Sequence, residues 1–296
     1  ALNLATGSRS PTVWTDEVCY ADPAINLVES GASTSTAWEV QSSSEHWAGN
    51  VPLYQLLLTR WLHLFGTSIT AVRSLNYVLV LFATGLLWLV GRRTGWISNP
   101  ATRLVFVIMV LSGYGVSFAY RSGRPDMLGF FLVSVGVFAC TLSEERYRHW
   151  AVLMIGALLP ISGLQFLPYI GLLCGLGLFW VPSWLGTLSI ASGFGTIFGG
   201  GALAAYYRYR GVWDDFLQAI TRHTAAGQDV SSKLLDLPSV LHLDPSYTLL
   251  LFGTLSLGGY FAWRRKTETS FLQSNVVYLL TVAVATPVAL FIVGKY

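Results

Sequence analysis

Two groups of charged residues in this chain have types and spacing suited to group-transfer chemistry. The acidic pair Asp16-Glu17 stands in a polar segment, and Arg121-Ser-Gly-Arg124-Pro-Asp126 closes a long apolar run. A carboxylate within hydrogen-bond reach can take a proton from a hydroxyl, and arginine binds phosphate oxygens through paired hydrogen bonds. Carboxylates close to lipid are costly unless they do chemistry, bind an ion or reach water. The two groups together indicate transfer from a phosphate ester to an acceptor hydroxyl.

Each of these residues also has an ordinary structural interpretation. Asp16 is either the candidate base or a solvated acid in a turn. Glu17 orients Asp16, contacts the acceptor, or begins a helix. Asp126 follows a proline, so it is a catalytic acid or an acid in the first turn of a helix, where the helix dipole favours it. Arg121 and Arg124 contact phosphate, or extend toward lipid headgroups.

Four further residues are weaker candidates. Tyr54 and Tyr20 are candidates for lining a substrate cavity, although tyrosine is common at membrane interfaces. Glu45 and His46 are candidate metal ligands, but two ligands in a Ser-rich loop fall short of a specific metal pattern. The sequence therefore requires no cofactor and leaves a divalent metal open.

The composition indicates an integral membrane protein. Of the 296 residues, 53% are hydrophobic and only 11% are charged, whereas a soluble domain carries about 25% charged residues. Eleven tryptophans and fourteen tyrosines fit aromatic belts at two membrane interfaces. The net charge of +3 is too small to indicate nucleic acid as a partner.

Apolar runs of the length that crosses a bilayer predict an all-α, polytopic transmembrane helical bundle. The yardstick is about 20 apolar residues per crossing. Residues 1–66 form an external loop with amphipathic juxtamembrane helices, 67–206 the transmembrane core of about six spans, 207–245 an external loop, and 246–296 two further spans. The predicted spans are Ala71–Val90, Thr102–Tyr120, Met127–Leu142, Trp150–Leu164, Pro168–Val181, Trp184–Tyr206, Tyr247–Trp263 and Phe271–Val293.

The arginines between these spans predict the orientation. Loops rich in Lys and Arg stay in the cytoplasm, which assigns that side to Arg92, Arg93, Arg103, Arg146, Arg148 and Arg264–Lys266. Eight crossings then leave both ends of the chain outside. The candidate site is expected on the extracytoplasmic face, either periplasmic or lumenal.

Local signals predict short elements around the spans. Asp22-Pro23 has the pattern of a helix N-cap followed by proline at the first helical position. Val51–Phe65 is amphipathic and about 22 Å long as a helix, so it is expected to lie in the interface plane. The glycines of 193–201 have the small-residue spacing of close helix packing.

An ordered set of short motifs runs through the first half of the chain. Over residues 14–130, and more thinly beyond, the chain resembles the protein O-mannosyltransferase and aminoarabinose transferase superfamily, which comprises polyprenyl- or dolichyl-phosphate-sugar-dependent glycosyltransferases with the GT-C membrane fold. The motifs are Thr15-Asp16-Glu17-Val-Cys-Tyr20, Val51-Pro52-Leu53-Tyr54, His63-Leu64-Phe65-Gly66, Arg73, Gly91-Arg92-Arg93 and Arg121 with Arg124-Pro125-Asp126-Met127.

The resemblance implies roles for several residues. It implies Asp16 as the base of a direct, inverting displacement, with Asp126 also in the site. It also brings in Lys295, because Gly294-Lys295-Tyr296 resembles a stretch that follows a span on the external side in relatives, where it would help to bind the donor phosphate. Relatives carry a transmembrane helix before the acidic pair and more spans after this stretch. The resemblance therefore leads us to expect a fragment, or a partner chain that supplies the missing spans.

These observations predict a membrane-bound glycosyltransferase. Its expected partners are a polyprenyl-phosphate-linked sugar, the lipid bilayer, and an acceptor hydroxyl on a protein, lipid or glycan. One alternative is a transporter or flippase for a polyprenyl-linked or anionic substrate, which should show paired inverted repeats, and no convincing repeat is present. A second alternative is a non-catalytic lipid-binding subunit.

Overall fold

The computed structural model of the protein describes residues 6, 9, 11–13, 15–38, 41–95, 97–167, 170–171 and 183–225. Within these ranges the chain is all-helical and has no strand, which confirms the all-α prediction. Predictions for Trp14, for most of Pro168–Val181, for residues 226–245, for Tyr247–Trp263 and Phe271–Val293, and for Lys295 lie outside the described residues. The helices are α1 Thr15–Glu29, α2 Pro52–Phe65, α3 Ile69–Arg93, α4 Pro100–Ser112, α5 Tyr114–Arg121, α6 Asp126–Ala139, α7 Glu145–Ser162, α8 Ser183–Tyr209 and α9 Trp213–Ala225, with a 3-10 turn at Leu164–Phe166.

Two of the described helices are long and apolar enough to cross a membrane: α3, and α8 from Thr187 onward. The pair α4 and α5 makes a third if it is one span, and this span would be bent by 67° between its two helices. The bend lies at Gly113, whose extended ψ of 133° ends α4. The apolar helix α6 has only 14 residues. The first turn of α7 consists largely of charged residues. The predicted crossing Met127–Leu142 is therefore too short as a helix, and the helix of the predicted crossing Trp150–Leu164 is too charged, to count among the described spans.

With α4 and α5 counted as one bent pair, α3 to α7 alternate in direction and α8 runs parallel to α7, so two ends can be distinguished in the described part of the chain. At one end, which we call the site end, Asn76 near the start of α3 donates to the carbonyl of Arg124 just before α6. At the other, the arginine end, Arg93 at the close of α3 lies 5.3 Å over the ring of Phe138 near the close of α6. Arg103 at the start of α4 packs beside Gly91 and stacks 5.1 Å from Trp88.

Glycines bring α7 and α8 into backbone contact along parallel paths. A Cβ placed on Gly195 or Gly199 would overlap the carbonyl oxygens of Leu153 and Ala157 respectively, and one on Gly156 would lie 2.5 Å from the Ser192 carbonyl oxygen. Small residues permit this approach in helix pairs. The prediction of close helix packing from the glycine spacing is confirmed.

The helix α2 is present as predicted and leaves apolar side chains uncovered. Tyr54, Leu58 and Leu62 are buried, whereas Leu64 and Phe65 are 76% and 58% exposed. Its 14 residues make a helix about 21 Å long, too short to span a bilayer. Exposed apolar residues at its end are what an interfacial helix would insert into lipid.

The prediction that Asp22 caps a helix is wrong. Helix α1 begins at Thr15 and includes Pro23 in its interior. The Asp22 carboxylate instead accepts hydrogen bonds from the backbone N–H of Thr36 at 2.8 Å and the hydroxyl of Ser35 at 2.9 Å. Because this loop supplies its donors, the carboxylate has no need of the free N–H groups of a helix start.

Candidate functional site

Three segments of the chain converge at the site end, and their charged residues meet around Arg124. Arg124 Nε lies 2.5 Å from Asp126 Oδ2, and its Nη1 lies 3.7 Å from Asp16 Oδ2. Asp16 comes from the first turn of α1, Arg124 from the turn after α5, and Asp126 from the first turn of α6. The side chain of Asp16 is 47% exposed, and those of Arg124 and Asp126 are 30% exposed. The group is open enough to meet a ligand.

The turn that carries Arg124 is held from behind by buried polar side chains. Gly123 has a φ of 65°, a conformation that glycine adopts without steric cost. The Tyr54 hydroxyl donates to the Gly123 carbonyl at 2.9 Å. Asn76 Nδ2 donates to the carbonyls of Arg124 at 2.7 Å and Ala119 at 3.3 Å. The backbone of the turn therefore has a fixed position relative to α2 and α3.

Asp16 and Glu17 are neighbours on α1 but differ in exposure, at 47% and 4%. Glu17 accepts two hydrogen bonds from Arg73, at 2.6 Å from Nε and 2.7 Å from Nη2, and the two side chains are 4% and 1% exposed. A Cβ on Gly123 would lie 3.0 Å from Glu17 Oε1. The ion pair thus supports the turn from inside the fold, while Asp16 faces outward. A catalytic role for Glu17 stays a prediction.

The charges of the site keep Arg124 protonated and Tyr20 neutral. Burial lowers the pKa of the Arg124 guanidinium, but Asp126 and Asp16 outweigh that effect and raise it above its usual value. Burial raises the pKa of the Tyr20 hydroxyl, and the carboxylates of Asp126 and Asp16 raise it further. Tyr20 therefore lies within the electrostatic reach of the charged group, and its role in lining a cavity stays a prediction.

Tyr54 and Arg121 occupy different depths at the same end. Tyr54 is fully buried, and its hydroxyl contacts the Gly123 carbonyl and Asn76 Oδ1. Burial raises its pKa above the usual value. Arg121 ends α5, and its Nη2 lies 3.4 Å from the Thr6 hydroxyl. In this structure Tyr54 supports the Arg124 turn from behind, whereas Arg121 ends the helix that leads into this turn.

Sequence reasoning missed two residues that touch the site. Gln165, in the 3-10 turn after α7, donates from Nε2 to Asp126 Oδ1 at 3.4 Å. Asn76 donates a hydrogen bond to the backbone carbonyl of Arg124 and is fully buried. A polar side chain inside an apolar span is a usable signal for Asn76. Gln165 gives no such signal, because it lies in a break between apolar runs.

Glu45 and His46 lie apart from the charged group. His46 Nε2 is 2.9 Å from the hydroxyl of Tyr206 near the end of α8. Burial, and then the charge of Arg210, lowers the pKa of His46 to about 4. Among the described residues, no three His, Cys, Asp or Glu side chains come together to hold a metal ion. His46 acts here as a hydrogen-bonding link between a loop and α8.

Over the residues that the structure describes, the chain is all-α, with two or three helices long and apolar enough to cross a membrane, and with the group of Asp16, Arg124 and Asp126 at one end of them. No family model, no curated protein and no solved structure matches the chain. An exposed carboxylate beside a guanidinium group can accept a proton and hold an anion at the same place.

Proposed function

We propose that this protein is a polytopic, integral-membrane glycosyltransferase that moves a sugar from a polyprenyl-phosphate donor to an acceptor hydroxyl on the extracytoplasmic face. The observation that carries the proposal is the contact of Arg124 with both Asp16 and Asp126. It supplies an exposed carboxylate and a phosphate-binding cation at the end of membrane-length helices, where the phosphate of a membrane-held donor would lie. The resemblance to the protein O-mannosyltransferase superfamily, and with it the GT-C fold, belongs to the proposal.

The reaction divides between the two kinds of side chain. Asp16 takes the proton of the acceptor hydroxyl, and the hydroxyl oxygen attacks the anomeric carbon of the sugar. The bond from that carbon to the phosphate oxygen breaks, the anomeric configuration inverts, and the lipid phosphate leaves with an added negative charge. Arg124 and Arg121 hold this charge, since guanidinium groups bind phosphate oxygens in paired hydrogen bonds.

The two acidic partners of Arg124 lie at different distances from its guanidinium group. Its Nε is bound to Asp126, whereas its Nη1 lies 3.7 Å from Asp16, a distance longer than a hydrogen bond. Asp126 therefore fixes the guanidinium plane, and the looser side of the group faces the exposed Asp16. A donor phosphate that binds this side would bring its sugar beside the base.

The test is sugar transfer in liposomes from a radiolabelled polyprenyl-phosphate sugar. A positioned general base contributes about 100-fold or more to a rate, so Asp16→Asn should lower transfer by at least that factor. Asp214→Asn is the matched control, because Asp214 is an exposed acid in the first turn of α9. Equal transfer by wild type and Asp16→Asn would remove the base assignment.

Donor binding separates the proposed enzyme from its two rivals. Arg121→Ala combined with Arg124→Ala should lose donor binding, while the exposed Arg60→Ala keeps it. A transporter would move the labelled donor across the bilayer without forming product. A non-catalytic subunit would bind the donor in the wild type and form no product under any condition.

A further inference from the structure

A groove lies between α7 and α8 at the arginine end, away from the charged group of the site. Its volume is about 530 Å³. It opens where α7 begins and beside Thr187, the residue at which the candidate span of α8 starts. A groove at the end of a membrane-length helix lies at the level of lipid headgroups. It is lined by Glu145, Arg146, His149, Trp150, Leu153 and Ala191.

The groove is lined by one acidic and one basic side chain, Glu145 and Arg146. Glu145 and Arg146 are both exposed, and over the described ranges neither forms an ion pair. His149 Nδ1 is 2.8 Å from the carbonyl oxygen of Glu145, so Nδ1 donates, and its Nε2 is 2.9 Å from the Thr187 hydroxyl. The imidazole therefore links α7 to α8 at the edge of the groove.

Apolar side chains continue the groove along both helices. Trp150 and Leu153 line it from α7, and Trp150 and Met154, one turn apart, are 55% and 51% exposed. On α8, Ile190 is 50% exposed and Phe194 is 65% exposed. An uncovered strip of this kind on membrane-length helices fits an acyl chain, and indole rings favour the headgroup level.

We propose that this groove binds one phospholipid whose headgroup joins an ammonium to a phosphodiester, as in phosphatidylethanolamine. Arg146 binds the phosphate, Glu145 accepts hydrogen bonds from the ammonium, and an acyl chain follows Trp150 and Leu153. The Glu145 carboxylate disfavours a purely anionic headgroup such as glycerol phosphate. A choline headgroup keeps the positive charge but has no N–H to donate. The site goes beyond the proposed sugar transfer, because it lies at the opposite end of the helices.

The test is lipid retention by the full chain in native mass spectrometry, with phosphatidylethanolamine, phosphatidylcholine and phosphatidylglycerol offered in equal amounts. Wild type should retain phosphatidylethanolamine best. Glu145→Gln should lower its preference over phosphatidylglycerol by about three- to fivefold, the range of an exposed ion pair. Arg146→Gln should weaken retention of all three lipids. Glu144→Gln is the matched control, because Glu144 is a neighbouring exposed acid outside the groove lining.

Two results would overturn the proposal. One is equal retention of the three lipids by wild type, or a preference for phosphatidylglycerol. The other is the same headgroup preference in Glu145→Gln as in wild type. A photoactivatable phosphatidylethanolamine gives a second measurement on the unmutated protein. It should label the segment 145–154, and labelling confined to other helices would equally contradict the site.

Discussion

At the scale of single residues, the buried ion pair of Glu17 with Arg73 is the strongest support of the proposed site. Removing one partner leaves a buried charge without compensation and costs about 3–5 kcal/mol. Both side chains are almost wholly buried, at 4% and 1% exposure. Glu17→Gln should therefore lower the unfolding temperature strongly, as measured by thermal denaturation in detergent.

A double-mutant cycle separates the ion pair from the loss of packing. Adding Arg73→Met to Glu17→Gln should restore part of the lost stability, because the orphaned charge is then removed. If the two single losses simply add, the pair is not coupled and the buried contact carries no special weight. The same variants report on catalysis, since an intact fold with lost transfer would indicate a direct role for Glu17.

Gly123 tests whether the turn geometry matters to the site. Gly123→Ala places a side chain at a φ of 65°, which costs about 1–2 kcal/mol, and sets its Cβ 3.0 Å from Glu17 Oε1. We expect lower stability and lower sugar transfer. Gly31→Ala is the matched control, because its φ is 76° and a Cβ there meets nothing within 4 Å. Equal losses in the two variants would mean that the contact with Glu17 is unimportant.

His46 gives a prediction for the dependence of stability on pH. Its pKa is lowered from 6.5 to about 4 by burial and Arg210, so the unfolded chain binds a proton more readily than the folded one between these values. Its contribution to stability is fully present above pH 6.5 and is lost as the pH falls toward 4. His46→Gln should show a smaller drop in unfolding temperature between pH 7 and pH 4.5. An unchanged drop would contradict the burial of this imidazole.

The residue scale also shows where sequence reasoning ends. Asp16, Arg124 and Asp126 could be identified as candidate site residues from the sequence, because a charged residue beside an apolar run is costly. The partner of Glu17 could not, since Arg73 lies 56 positions away. The local pattern at Asp22 misled for a similar reason: its donors come from a loop 14 positions further on.

At the scale of elements, the contact of α7 with α8 depends on particular glycines. A Cβ on Gly199 overlaps the carbonyl of Ala157, whereas one on Gly200 meets nothing within 4 Å. Gly199→Ala should therefore destabilise the protein by about 1–3 kcal/mol through overpacking. Gly200→Ala should be neutral or slightly stabilising, because alanine favours helix more than glycine does. Thermal unfolding of the two variants compares them directly, and similar unfolding temperatures would contradict the close contact.

The sequence predicted which helices form better than it predicted where each helix begins and ends. Apolar runs and small-residue spacing predicted α2, α3 and the packing of α7 with α8. The extent of single crossings was harder to predict, because a break such as Gly113 ends α4 without a change in composition. The 3-10 turn that carries Gln165 to Asp126 has a tertiary origin, so it left no periodic pattern in the sequence.

At the scale of the whole molecule, the separation of charges to two ends predicts opposite accessibility. With the three native cysteines replaced by serine, single cysteines at the exposed positions Ser44 and Ser143 report on the two ends. Ser44→Cys should react with an impermeant maleimide on intact cells or spheroplasts, as the positive-inside rule implies. Ser143→Cys should react only after permeabilisation. Labelling of both from one side would contradict the arrangement.

The sequence was sufficient to predict the structural class of the protein. Composition alone indicated a membrane protein, and the described part of the chain is all-helical with two or three membrane-length helices. The sequence could not show which acids face water and which form ion pairs inside the fold. One acid of each kind, Asp16 and Glu17, lies in the same helix turn.

The most direct measurement is a density map of the full chain with a non-hydrolysable polyprenyl-phosphate sugar in a lipid nanodisc. The account predicts the lipid phosphate within hydrogen-bond distance of Arg124 or Arg121, and the anomeric carbon of the sugar facing the Asp16 carboxylate. A phosphate bound elsewhere, with the contacts of Arg124 to Asp16 and Asp126 unchanged, would contradict it.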